Sequence, residues 1–393
     1  MLIFKHLAAE NLDYPLPSHA LIVFFRVTII LFLCIMKIEQ DIPSFVWLTE
    51  IPDVEIASSV VTNVTFTNSS TGEVIYNENL YPNASGRITV YDVAHILRQS
   101  MIDAVEAGAV LRRFKMQVTT TTESATTSFG CFYATTPIDI NPVTFANGSF
   151  FTRNIDRETT IDAHESLSFC HISLRASVRC TATCYFEGLR PKTVQIMSAT
   201  YSVTHRYKTI RIDVSPATIV KKSGREGYRL LAYDINLTLN NSDYGASAHY
   251  TVNYAPRQRT ATFYYRNPFG VYEYLNVFGN DTTKRTFEKS MANVNRIETV
   301  YKTKLKTNHE ISTSIESQQQ RDVMEDFFAS EDVWLVEGNE IVAQVVIDDI
   351  THETSDAYDA LDSYKFTWRL ADSNHRSAVS MRIFDDTFDG TFE

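Results

Sequence analysis

The sequence is sparing with the residues that punctuate, cross-link or anchor a chain. Thirteen glycines and eleven prolines in 393 residues exclude a collagen-like or linker-dominated protein. Five cysteines, an odd number, are too few for a disulfide scaffold at this length. Long apolar runs are also missing. The one membrane-like stretch, Ala20–Ile35, falls short of the ~20 residues a spanning helix needs and is broken by Arg26. No H-x-H, H-E-x-x-H or paired Cys/His spacing appears among the ten histidines, which disfavours a zinc site. G-x-S-x-G, P-loop and G-x-G-x-x-G patterns are absent as well, so neither a nucleophile elbow nor a phosphate cradle is expected. These gaps point to a non-enzymatic protein without catalytic residues, cofactor or bound metal.

What is present is the composition of a folded β protein. Apolar residues make up 44% and charged residues 21%. The abundance of Thr, Tyr, Phe, Val and Ile suits pleated, half-buried surfaces. Length suggests two or three domains. In "SVRCTATCYFEG", Val178, Cys180, Ala182, Cys184 and Phe186 alternate onto one strand face. Cys180 and Cys184 then stand ~13 Å apart, too far to bridge each other or share a metal without a bend. Buried thiols acting as small apolar groups are the expectation, and His171 and His205, inside strand patterns, read as structural histidines.

The net charge of −11 conceals an asymmetry. Arg175–His309 holds 21 Lys/Arg against 9 Asp/Glu, whereas Glu310–Glu393 holds 5 against 20. Either the two halves neutralise each other within one copy, or the basic surface of one subunit meets the acidic surface of the next. Nucleic-acid binding is not expected, since no recognised motif accompanies the basic stretch and the acidic tail competes for it.

Four segments follow along the chain. Residues 1–35 read as a hydrophobic leader or a misassigned start, because Met36 opens "MKIEQDIPSFVWLTE" like a natural beginning. A membrane partner follows only if residues 20–35 are a true anchor. Residues 36–140 form an N-terminal β-domain with one helix, capped by Asp92 and striped by Val93, Ile96, Leu97, Met101 and Ala104. Residues 141–222 form a middle β-domain of short strands without a helix signal, ending near "KKSGREG". Residues 223–393 form a C-terminal β-domain with one helix, whose capping box is Ser317 and Gln320 and whose stripe is Val323, Met324, Phe327 and Phe328. A hairpin turning at Gly338-Asn339 and an alternating strand with Tyr364, Phe366, Trp368 and Leu370 inward complete it. The fold class is therefore mainly β, two to three tandem sandwich-like domains with two short helices packed on the sheets.

"TATFYYRNPFGVYEYLNVFGN" crowds seven aromatic rings into residues 260–280. Asn267-Pro268 and Gly270 make it a hairpin. Tyr272, Tyr274 and Phe278 face one way, while Val271, Leu275 and Val277 face the other with Glu273. The first face is a candidate interface or ligand surface. A second candidate is the tail "IFDDTFDGTFE", whose Phe384, Phe388 and Phe392 either pack on their own domain or insert into a neighbouring subunit. The acids Asp348, Asp349, Glu353, Asp356, Asp359 and Asp362 with His352 lack the tight loop that calcium requires.

Three stretches, "FYYRNPFGVYEYLNVFGN", "EDFFASEDVWLVEGN" and "FTWRLAD…RIFDDTFDGTFE", together resemble uncharacterised proteins from phages and prophages of Bacteroidetes bacteria, associated with virion or tail gene clusters. The resemblance covers chiefly residues 260–393, with an echo in Glu78–Leu97. It implies a structural role in the tail or baseplate region of a virion, assembled in the host cytoplasm with copies of itself and other virion proteins. The alternative expectation is an exported carbohydrate-binding adhesin at the cell surface or in the periplasm. There the Tyr272/Tyr274 strand would stack on a surface glycan.

Overall fold

A computed structural model describes residues 36–371 apart from 203, 205–206, 241, 255–258, 295–296, 316, 339 and 354–361. Expectations for the 1–35 leader and for Phe384, Phe388 and Phe392 lie outside the described residues, as do those for His205, Asn339, Asp356 and Asp359. The chain divides into two compact units, one running to Asp103 with Leu111–Phe132, the other comprising Ala104–Val110 and Tyr133 onward.

In the first unit, strands β1 (Lys37–Gln40), β2 (Phe45–Trp47), β3 (Val54–Ala57), β4 (Thr62–Asn68), β5 (Val74–Leu80) and β6 (Arg87–Val90) precede helix α1 (Val93–Glu106). Strands β7 (Leu111–Thr119) and β8 (Ser124–Phe132) follow it. They form a three-stranded sheet, β1-β3-β6, and a five-stranded one, β2-β8-β7-β4-β5. The period-two pattern of β4 buries Thr62, Val64, Phe66 and Asn68 and turns the residues between them outward. Phe66, Phe114 and Phe129 lose all or nearly all exposure, each contributing ~1.5–3 kcal/mol of apolar burial. Helix α1 starts where expected. Asp92 takes a positive φ of 51°, which its short polar side chain tolerates, and its carboxylate accepts from the His95 amide at 3.2 Å.

The second unit holds two cores. Helix α2 (Pro142–Gly148) leads to β9 (Asp156–Thr159), β10 (Ser166–Cys170), β11 (Ala176–Phe186), β12 (Lys192–Tyr201) and β13 (Thr209–Asp213). Helix α3 (Pro216–Ser223), β14 (Leu230–Leu239) and β15 (Ser242–Val252) complete this half. The sheet β12-β11-β14-β15-β9 packs against the β10–β13 pair in two layers. Leu167, Phe169, Ile210 and Ile212 of the pair share one apolar cluster with Val178, Cys180, Tyr233, Ile235 and Tyr250 of the sheet. Two expectations are corrected here. The middle segment does contain helices, since Asn141-Pro142 and Ser215-Pro216 each place a polar residue before a proline whose fixed φ suits the first helical turn. The boundary expected at 222/223 is also not a division between domains. "KKSG" is the last turn of α3, ended by Gly224 in the left-handed region at φ 63°, and the chain then re-enters the same sheet as β14, paired along β11.

The remaining strands are β16 (Arg259–Arg266), β17 (Tyr272–Phe278), β18 (Asn280–Val294) and β19 (Ile297–Ile315). Helix α4 (Gln318–Ala329) precedes β20 (Val333–Glu337), β21 (Glu340–Glu353) and β22 (Asp362–Leu370). These strands make one sheet ordered β17-β16-β20-β21-β22-β19-β18. Its inner face is covered by α4, whose Val323, Met324 and Phe327 join Phe263, Tyr265, Leu335, Phe366 and Trp368. Ser317 caps α4 as its sequence indicates, accepting from the Gln320 amide at 3.2 Å. The protein is thus mainly β. The two expected helices lie beside shorter ones at 142–148 and 216–223.

Candidate functional site

The aromatic run separates by strand parity into a core and a face. On the inner side, Phe263 meets Phe327, Phe366 and Trp368 with centroids 5.1, 6.5 and 5.7 Å away. Phe269, in the hairpin turn, packs between Phe145 and Phe151. Gly270 closes that turn at φ 77°, a conformation costly for a side chain bearing a Cβ, and its amide donates to the Asn267 carbonyl at 2.9 Å.

The outer side carries a half-buried ladder. Tyr264 stacks on Tyr272 at 4.9 Å and tilts against its cross-strand partner Tyr274 at 5.0 Å. Arg211 of β13 lies 5.0 Å over both the Tyr264 and the Tyr274 rings, and its Nη1 donates to the Tyr264 hydroxyl. The Tyr272 hydroxyl donates to Asp332, which also accepts from Trp334 Nε1 at 2.7 Å. Burial, followed by the hydrogen bond to Asp332, pushes the Tyr272 phenol well up. Tyr272 and Tyr274 therefore share this face as expected. Phe278, at the strand's end, has the same half-buried parity and also borders a cleft of about 110 Å³ with Asn154, Arg157, Thr313 and Met324.

Beneath the ladder lies a buried polar network of which the sequence signalled only Glu273. Glu273, with no exposure, accepts from the Tyr265 hydroxyl at 3.1 Å, Asn267 Nδ2 at 2.9 Å and the Asn154 amide at 3.4 Å. Arg157 pairs with buried Glu165 and donates to the Tyr274 carbonyl at 3.2 Å. Asp326 pairs with Arg153 at 2.9 Å, and burial raises its carboxyl to about 6. The bonds of Glu273, Asn267 and Arg157 tie the β16–β17 hairpin to residues 151–157 away from solvent.

A second surface was not anticipated. From Thr283 to Asn308, β18 and β19 pair only with each other among the described residues, because β22 covers β19 no further than His309↔Trp368. Twelve residues per strand beyond that point make a two-stranded ribbon ~40 Å long. Its base is pinned by Glu310, which accepts from Lys284 and from Lys365, the latter at 2.8 Å, and these bonds hold its carboxyl down at about 2. Phe287, paired with Leu305, is 60% exposed, and Met291, Ile297, Val300 and Tyr301 are exposed too. Lys284, Glu288, Lys304 and Lys306 occupy the opposite face, with Lys306 bonded to Glu288 at 2.5 Å. Alternation of Thr and Lys with apolar residues in "ETVYKTKLKTNHEISTSI" is the signal that would have found it.

The other side chains singled out in the sequence sit quietly. Cys131, Cys170, Cys180 and Cys184 are buried thiols, and burial raises the Cys180 thiol to about 12 and that of Cys184 to about 11. His171 is buried, with Nδ1 3.0 Å from the Ser173 carbonyl. Asp348 pairs with Arg369 at 3.1 Å, and Asp362 pairs with Arg321. Asp362 also opens β22. No three His, Cys, Asp or Glu side chains converge on a metal-sized position among the described residues.

No protein-family model and no curated protein matches the sequence. Among solved structures, the chain is similar to the titin fragment of domains I67–I69, at 7% identity over 86% of this chain and 89% of that one, with a TM-score of 0.18. Squid arrestin matches at 8% identity over 56% and 95%, with a TM-score of 0.17. The Dpr2 Ig1–Ig2 structure, solved in complex with DIP-Theta, matches at 8% over 56% and 98%, with a TM-score of 0.16. Scores this low carry no argument about this chain.

Proposed function

We propose that this protein is a non-enzymatic structural component of a phage virion, from the tail or baseplate region, that associates with copies of itself and with other virion proteins. The ribbon β18–β19 carries this reading. An isolated two-stranded ribbon is marginal in water, and this one exposes Phe287, Met291, Ile297, Val300 and Tyr301 along its length. A partner that covers the ribbon removes that apolar surface from water and stabilises both strands. Rigid sheets on either side of the chain's connections suit a part whose edges are specialised for its neighbours. The resemblance of residues 260–393 to virion and tail-cluster proteins supports the same role, with assembly in the host cytoplasm.

The test is light scattering on the full chain over a concentration series, beside a variant in which residues 284–306 are replaced by a two-residue turn. Association in the wild type that disappears with the ribbon is the expected result. A wild-type chain that stays monomeric, alone and with extracts of assembling virions, refutes the reading. A second reading, a carbohydrate-binding adhesin at the cell surface or in the periplasm, is favoured by one observation, the half-exposed rings of Tyr264, Tyr272 and Tyr274 on a single face. Glycan-array binding lost in Tyr274→Ala, with unchanged thermal stability, would favour it.

A further inference from the structure

Resting on the self-association reading above, we infer that the ribbon of one copy docks, through the face bearing Phe287, on the acidic β20–β21 hairpin of a second copy. Parity places Arg285, Phe287, Lys289 and Met291 of β18 on one face, opposite Thr307, Leu305, Thr303 and Val300 of β19. That face is apolar with interspersed cations, so it requires a partner that is apolar with interspersed anions. The hairpin tip supplies one. There Glu337 and its cross-strand partner Glu340 share one exposed face with Val342, and Ile341 is exposed on the other. Residues 331–353 contain seven Asp or Glu and no Lys or Arg, whereas residues 283–308 contain seven Lys or Arg and two Glu.

The occupant is a second copy for geometric reasons. Ribbon and hairpin belong to one seven-stranded sheet, with β22 between β21 and β19. Within one molecule the two patches do not cover each other, since Phe287 and Met291 on the ribbon and Ile341 and Val342 on the hairpin all remain exposed. Ribbon-on-ribbon pairing of two copies is disfavoured, because it sets Arg285 and Lys289 against their own equivalents. The contact is therefore heterologous. Repeated copies close into a ring or continue as a stack, depending on the rotation between them.

Complementary charge reversal tests this on the full chain. Arg285→Glu/Lys289→Glu changes only the ribbon, and Glu337→Lys/Glu340→Lys changes only the hairpin tip. All four positions are exposed, so melting curves should stay close to wild type. Light scattering is expected to show association weakened at least ~10-fold in each variant alone, since like-charge juxtaposition costs several kcal/mol. Equimolar mixing should restore it, because each reversed patch then meets its reversed partner. Wild-type association with both variants associating equally well overturns the inference while leaving self-association standing. A wild-type chain that never associates removes both. Wild-type association with charge-reversed ribbons that lose only binding to a fluorescent single-stranded oligonucleotide assigns the basic face to nucleic acid, and overturns the inference as well.

Discussion

Replacing Glu273 by leucine tests whether the buried network positions the aromatic face. Leucine nearly matches the volume of glutamate but accepts no hydrogen bond. The Tyr265 hydroxyl, wholly buried, would lose the partner it holds at 3.1 Å. Asn267 Nδ2 would keep the Phe151 carbonyl at 2.7 Å but lose its second acceptor, and the Asn154 amide would lose its longer bond. A buried donor left unpaired costs ~1–3 kcal/mol. One full orphan and two partial ones, offset by no longer burying a carboxylate, leave a net loss of about 3 kcal/mol. For a unit of this size that lowers the melting temperature by about 6–12 °C. Differential scanning calorimetry supplies the number, and a second substitution supplies the logic. Adding Tyr265→Phe to Glu273→Leu removes the orphaned hydroxyl and should recover about 1 kcal/mol, although Tyr265→Phe alone should destabilise. A leucine variant as stable as wild type, or strictly additive substitutions, would show that Glu273 does not organise the hairpin.

Two further outcomes follow from other parts of the second unit. Asp326, raised to about 6 in the fold, has a higher pKa than an unfolded aspartate. Its contribution is therefore fully favourable below about pH 4 and is lost as pH rises through 6. Urea titrations at pH 5 and pH 8 should show wild type losing on the order of 1 kcal/mol from this site, and Asp326→Asn should flatten that dependence. Gly279 joins β17 to β18, and a Cβ there would drive into the Ser312 carbonyl oxygen. Gly279→Ala must shift backbone at the ribbon's base, costing ~1–3 kcal/mol. Hydrogen exchange should report it as faster exchange at Asn280–Lys284 and His309–Ser312, with β11 and β14 unaffected.

The elements most legible in the sequence were those whose signals are local. Alternation in "SVRCTATCYF" and "YKFTWRL" placed Cys180, Cys184, Phe366 and Trp368 inward, because strand side chains alternate whatever lies beyond them. Ser317 and Asp92 marked helix starts through bonds spanning three residues. Helices α2 and α3 were also within reach, since Asn141-Pro142 and Ser215-Pro216 announce them. Their brevity left no apolar stripe to read.

Sequence alone thus determined that the chain is mainly β, that Tyr272 and Tyr274 share a face, that Cys180 and Cys184 lie on the inward face of one strand, and that charge is segregated along its length. Those properties follow from parity, propensity and composition, which need no knowledge of partners. The tertiary structure decided what each strand lies beside. It brought Arg211 from 53 residues away onto the tyrosine ladder, and buried Glu273 among Tyr265, Asn267 and Asn154. It also left Thr283–Asn308 uncovered beyond the reach of β22. Strand order decides which edges and faces remain open, and that order is settled by pairings between residues far apart in the chain.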